Sequence, residues 1–227
     1  MVAKRRGPRR GGHPPLVRLD EPSEKFWDED LSDVTKALLG SAVRCFAEKG
    51  FQATTTRDIT GQVGLTPGAL YVHFATKEEV LFEIVRSGHR RALETLRAAL
   101  PADGDPETHL RRAVAAFVEW HAEHHTVARV CQNELTPLSP EHYAEIHDLR
   151  AQFTIVFRDA VRRLVDGATA DPDDVSRLAR SILSLGVDLV RWYRVDGTDS
   201  PATLGAFYAD LAVHMTAAVR DRRPTSA

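Results

Sequence analysis

The stretch Thr54-Thr55-Thr56-Arg57-Asp58-Ile59 through Gly64-Leu65-Thr66-Pro67-Gly68-Ala69-Leu70-Tyr71-Val72-His73-Phe74 constrains this chain more than any other. It spells a short helix, a tight turn and a second short helix within about one small motif. Thr55 or Thr56 suits the first N-cap, and Asp58 is the acidic partner three residues after Thr55, as a capping box requires. Ile59 and Val63 are four apart and share one apolar stripe. Gly64 supplies the left-handed backbone of a sharp helix stop, and Leu65 pins the turn to a core. Thr66 then caps the next helix and Pro67 takes its first position, where no N–H is needed. Gly68 keeps that helix start bare, Leu70 and Phe74 face inward, and Tyr71 and His73 face outward. Thr76-Lys77-Glu78-Glu79 opens a third helix with Lys77 at its exposed start, where free N–H groups, dipole and ammonium together favour a phosphate.

From Leu31 onward the apolar residues recur with helical period, and neither an alternating strand pattern nor an internal repeat is present, so the expected class is all-α. Val34, Leu38, Ala42, Cys45 and Phe46 mark the buried face of a first helix that Gly50 stops, with Phe51 returning to the core. A long helix runs from Lys77 to about Leu100 and ends at Pro101-Ala102-Asp103-Gly104-Asp105-Pro106, read as a linker. Further helices are expected at 107–124, 125–135, 140–166, 171–194 and 201–220. Residue Gly61, inside the first helix of the motif, costs about 1 kcal/mol relative to Ala.

Composition sets the class of partner. The 227 residues are 43% hydrophobic and 27% charged, enough for one substantial core or two smaller ones. No apolar run reaches the length expected of a membrane span, and no secretory signal follows the basic N-terminus, so a cytoplasmic location is expected. Cys45 and Cys131 lie far apart in helical patterns and read as reduced thiols. The formal net charge is −2, yet Lys4, Arg5, Arg6, Arg9, Arg10 and Arg18 crowd the start, so positive charge is local. Residues 1–30 are read as a disordered basic arm, which either follows a minor groove or is a solvated tail.

The run from Ser32 to about Arg90, with Phe46-Ala47-Glu48-Lys49-Gly50-Phe51, Tyr71-Val72-His73-Phe74 and the capped Lys-Glu helix, resembles the N-terminal domain of TetR-type repressors. That resemblance implies a helix-turn-helix three-helix domain over 31–90 and a helical effector-binding and dimerisation domain over 91–221. It implies that Thr56, Tyr71, His73 and Lys77 contact phosphates and that Thr66, Pro67, Gly68 and Ala69 lie at the major groove; Thr55 completes the DNA-binding set. A double-stranded DNA operator and a homodimer are the implied partners. Ile182, Leu185, Gly186, Leu189 and Val190 on one terminal helix, and Leu204, Phe207, Leu211, Val213 and Met215 on the other, are then a self-complementary interface rather than only core.

Gly186-Val187-Asp188-Leu189-Val190-Arg191-Trp192-Tyr193-Arg194-Val195-Asp196-Gly197 is similar to a Trp-Tyr-Arg-Pro-Asp-Gly segment of TetR-type regulators that respond to acyl-CoA thioesters, Val195 replacing the Pro. An effector site is expected among Phe117, Trp120, Phe153, Phe157 and Trp192, with Arg150 or Arg158 meeting an anion; a dry aromatic core is the plainer alternative. His121, His124 and His125, with Glu123, form a histidine-dense segment, in which His121 and His125, four apart, offer a rival metal-sensing reading although no cysteine is near in sequence. An enzyme reading lacks a Gly-x-Ser-x-Gly elbow and a phosphate-binding glycine loop, and Asp103, Asp105, Asp171, Asp173 and Asp174 sit where acids cap helices. No cofactor is expected. A helical interaction module without DNA binding is the third reading.

Overall fold

A computed structural model describes residues 26–100, 103–165 and 170–220, and the described residues are helical without a strand. The elements are α1 (Asp33–Ala53), α2 (Thr56–Gln62), α3 (Pro67–His73), α4 (Lys77–Ala99), α5 (Pro106–Glu123), α6 (His125–Asn133), α7 (Pro140–Leu164), α8 (Pro172–Trp192) and α9 (Pro201–Arg220). Their starts follow local chemistry. Ser32, Thr55, Thr76, Asp105, Ser139 and Asp171 each accept a first-turn N–H through the side chain, and Pro67, Pro106, Pro140 and Pro172 sit where a missing N–H costs nothing.

The turn of the α2–α3 motif closes as a Schellman arrangement. Gly64 has φ +70°, its N–H reaches Gly61 O at 3.4 Å and the Leu65 N–H reaches Thr60 O at 2.9 Å. Thr55 and Asp58 form the reciprocal capping box, and Asp58 is held down at about 2 by the Thr55 N–H and hydroxyl and by Lys49. The α2 helix therefore keeps its cap ionised throughout the neutral range. Gly61 is exposed, and a Cβ there meets nothing within 4 Å. Gly61→Ala is expected to raise stability by about 1 kcal/mol through helix propensity alone; a urea midpoint unchanged or lowered would contradict this.

Two expectations about boundaries are corrected. Residues 1–25 of the expected arm lie outside the described residues, but of its last five Phe26 and Trp27 are buried and Asp28 half-buried, with Glu29 and Asp30 exposed. Phe26 and Trp27 are buried edge to face, Arg91 donates to Phe26 O at 3.2 Å and Trp27 O at 3.4 Å, and Asp28 pairs with Arg90 and Arg91. Two adjacent aromatics bury enough surface against α4 to offset the ordering of a short segment. The division expected at residue 90 falls in the middle of α4. That helix buries Val80, Leu81, Ile84 and Val85 at one end and Ala92, Leu93 and Leu96 at the other, inside one continuous core.

The helices α5, α6 and α7 pack on α4, α7 reaching its first two turns at Glu78 and Phe82. α8 comes close to α5: a Cβ on Gly186 would stand 2.8 Å from Phe117 Cδ1. α9 packs along α5, tied by the Arg111–Asp210 pair. Contrary to expectation, Pro201–Val219 is by length and composition apolar enough to cross a membrane, and only 28% of it is buried. A charged pair to α5 and an apolar outer face describe a helix with one side in the core and the other presented to a partner.

Candidate nucleic-acid interface and ligand cavity

The head presents α3. Leu70 and Phe74 are buried while Thr66, Pro67, Gly68, Tyr71 and His73 are exposed and Ala69 is half-buried, so one face of the helix is free of the core. Thr66 is the N-cap, yet its hydroxyl makes no capping bond. Thr55 is spent on its box with Asp58, and Thr56 begins α2, half-buried. His73 is braced from behind: its Nδ1 lies 3.0 Å from Thr35 Oγ1, which is 2.8 Å from Ser32 Oγ, so the end of α3 is tied to the start of α1. A residue the sequence reading passed over is Val72, 80% exposed. It lies four residues from Gly68 and three from Ala69 and shares their face, which was the signal; a branched methyl there suits a thymine methyl.

Lys77 departs from the exposed phosphate ligand expected of it. Its ammonium donates to Phe51 O and Thr54 O, both at 2.7 Å, and sits 4.1 Å over the Phe51 ring. These carbonyls close α1, at the negative end of its dipole, so the lysine ties α4 to α1. Desolvation lowers its pKa. Lys77→Ala is expected to cost the protein about 2 kcal/mol, since two charge-assisted bonds go and two carbonyls lose their donor. Operator affinity falls with the order of the head, while its salt dependence keeps the same slope; a slope reduced by about one would instead assign Lys77 to a phosphate.

The head is also pinned to the helices behind it. Glu134, the C-cap of α6, accepts the Phe51 N–H at 3.1 Å just after the Gly50 kink, where φ is +77°. Glu78 accepts the Ser139 N–H at 2.8 Å and faces His142 Nδ1 at 2.8 Å, and the His142 ring stacks on Phe82 at 3.8 Å. Any shift of α6 or α7 is thus felt at both ends of the reading unit.

Between α4, α5, α6, α7 and α8 lies a cavity of about 280 Å³. Phe117, Trp120, Phe153 and Arg150 line it, and Arg150 donates to Gln132 Oε1 at 3.0 Å on the same wall. Phe157 and Trp192 do not line it. Phe157 is fully buried behind Phe117, edge to face at 5.3 Å, and Trp192 is 46% exposed at the end of α8. Arg158 lines a different hollow beside His109, whereas Arg180 lines this cavity and was missed. Its signal was spacing: Arg180, Leu183, Ser184 and Val187 recur on one face of α8.

Two histidines complete the wall. His89 Nδ1 lies 2.8 Å from Val85 O and His121 Nδ1 lies 2.7 Å from Phe117 O, so each Nδ1 carries the proton and donates it. Desolvation pushes both pKa values down to about 4, which leaves both rings neutral. The metal reading loses its geometry here. His121 is committed to the cavity wall, His125 reaches Val190 O through Nε2 at 3.1 Å, and the described residues contain no group of three metal-ligating side chains. Cys45 and Cys131 are buried free thiols. Asp105 and Asp171 serve as helix caps.

The sequence profile described as "Bacterial regulatory proteins, tetR family" matches residues 38–84, and that described as "Tetracyclin repressor-like, C-terminal domain" matches residues 103–216. The HTH-type transcriptional repressor KstR2 of Mycobacterium tuberculosis is 31% identical over 178 residues, covering 78% of this chain and 89% of that protein. Among solved structures, a tetR-family regulatory protein from Rhodococcus RHA1 superposes with a TM-score of 0.76 at 37% identity, over 82% of this chain and 98% of that one. The ketosteroid transcriptional regulator KstR2 of M. tuberculosis does so with a TM-score of 0.73 at 29% identity, over 82% of this chain and 96% of that one.

Proposed function

Since this chain belongs to the TetR family and is a DNA-binding transcriptional regulator, we propose that two copies read a palindromic operator through α3 and let it go when a hydrophobic anion, an acyl-CoA thioester, fills the cavity beside α4. The observation that carries this reading is the cavity itself: aromatic walls with Arg150 and Arg180 as cations, set against the helix whose other end bears the reading unit. The Trp192-Tyr193-Arg194 segment supports the thioester, and the relative named a ketosteroid transcriptional regulator supports only a hydrophobic effector.

Direct contacts fall to Thr66, Pro67, Gly68, Ala69, Tyr71 and Val72 at the groove, with Thr56 and the exposed side of His73 at phosphates. Lys77 and Thr55 hold the frame. Two recognition helices must reach successive major-groove faces about 34–36 Å apart, which needs a twofold pair. Leu185, Phe207 and Leu211 are exposed apolar residues on α8 and α9 and supply the self-complementary surface, while Ile182, Leu189 and Leu204 belong to the protomer's own core.

A ligand acts only through a difference in affinity between two states. If the filled cavity favours a tilt of α4, the bonds from Glu134 and Glu78 carry the head with it, and the spacing of the two α3 helices leaves the operator register. A tenfold loss of operator affinity needs only about 1.4 kcal/mol of coupling. Duplexes selected from random DNA by the full chain, then titrated with acyl-CoAs of increasing chain length, test the assignment. Release by at least one chain length is expected; DNA complexes that ignore every thioester would remove acyl-CoA as the effector.

A further inference from the structure

The segment 26–31 touches both working ends of the protomer, the wall of the cavity and the start of the helix that braces α3. Trp120 lines the cavity and is stacked on His124, ring centroids 4.9 Å apart and planes 17° apart. His124 meets Phe26 at 5.4 Å, and its Nδ1 lies 3.2 Å from Trp120 O. Three rings thus form a column from the cavity to the strap that leads into α1. Interiors packed this closely are barely compressible, so a displacement of the first ring is passed to the last. Phe26 is not loose at the end of the column: it packs edge to face on Trp27 at 5.0 Å, and Arg91 on α4 holds its carbonyl.

From there the chain is short and stiff. The Leu31 N–H returns to Asp28 O at 3.2 Å in a turn, and Ser32 caps α1 by accepting the Thr35 N–H at 3.2 Å. Thr35 is nine positions after Phe26, and its hydroxyl lies 3.0 Å from Nδ1 of His73, the last residue of α3. This route is separate from the contacts of Glu134 and Glu78, which reach the head from α6 and α7. We propose that residues 26–32 are a second coupling element: an effector that displaces Trp120 moves His124, unseats Phe26 and slackens the brace on His73, so α3 loses the orientation that fits the groove. Seated and unseated straps are the two arrangements that such coupling requires. His124 and Phe26 are positioning residues, acting through Trp120 at one end and His73 at the other. The inference rests on the effector and operator readings and supplies a path between them.

Two measurements on the full chain test the strap. Amide hydrogen exchange over residues 26–32 needs neither ligand nor DNA. Trp120→Leu removes the first ring and is expected to speed that exchange about tenfold, the equivalent of one lost aromatic pair. Phe153→Leu opens the same cavity outside the column and is expected to leave it unchanged. Strap exchange that ignores Trp120→Leu, or rises equally in Phe153→Leu, overturns the path. The second measurement is the factor by which a saturating acyl-CoA, of the chain length that releases the native chain, weakens operator binding. In Phe26→Leu and in His124→Ala the strap starts unseated, so ligand-free operator affinity should fall about threefold and the native tenfold factor should shrink to about threefold. Thioester affinity should rise by the same threefold, as reciprocity demands, where a merely damaged fold would lose it. His124→Phe restores a ring and should restore the native factor. A factor unchanged in both ring-removing variants, or thioester affinity lost in both, overturns the proposal. If no acyl-CoA shifts operator binding by the native chain, the effector reading fails and the exchange result alone decides the strap.

Discussion

Acidification from about pH 7 to about pH 4 is expected to remove roughly 5 kcal/mol of unfolding free energy, through His89 and His121 alone. Both are neutral in the fold, held near 4 by burial against an ordinary value of 6.5. Between those values the unfolded chain binds more protons than the folded one, so stability is whole above about pH 6.5 and drains away as pH falls. Each ring removes about 1.4 kcal/mol per pH unit within that window. The surroundings reinforce the direction: the Arg150 guanidinium lowers both values, His121 lowers His89, and His124 lowers His121. Urea midpoints measured across the window for the native chain and for His89→Leu with His121→Leu decide the matter. The double variant should lose most of the slope; an equally steep profile would place the acid sensitivity elsewhere.

Separating the protomers should weaken operator binding by about 10²–10⁴-fold, because two linked heads gain avidity that a lone head lacks. Phe207 and Leu211 are 62% and 38% exposed on α9, a helix of which only 28% is buried, and Asp210 between them already points back to Arg111. Phe207→Glu with Leu211→Glu puts two charges into an apolar contact without entering the protomer core. Sedimentation should show a monomer of unchanged helicity that binds a half-site and an intact operator equally weakly. A variant that stays dimeric would move the interface off this face of α9.

What the sequence discloses, and what it withholds, divides by range. The Thr55–Asp58 box, the Gly64 turn and the Thr66-Pro67 start are written in residues within a few positions of one another, and helix boundaries follow them closely. Phe26 and Trp27 look like arm until Arg91, more than sixty residues on, takes their carbonyls. Lys77 reads as a free cation because Phe51 O and Thr54 O lie a helix-turn-helix away in the chain. The same holds in the cavity. Periodicity put Phe117, Trp120 and Phe153 on inward faces, but whether Phe157 looks into the cavity or behind it, and whether Trp192 is covered at all, depends on how α5, α7 and α8 cross. Arg180 needed the same knowledge. The tautomer of His89 and His121 is set by carbonyls one helical turn away, whereas their neutrality comes from burial, which is a tertiary fact.

The account stands on a coupling between cavity and head, and coupling is reciprocal. Operator affinity can be measured with and without a saturating acyl-CoA of the chain length that binds the full chain, and the affinity for that thioester measured with and without a saturating operator duplex. Ligand should weaken DNA binding at least about tenfold, and DNA should weaken ligand binding by the same factor. A thioester that binds the folded protein with one affinity whether or not operator is present would contradict the claim that this cavity governs the reading of DNA.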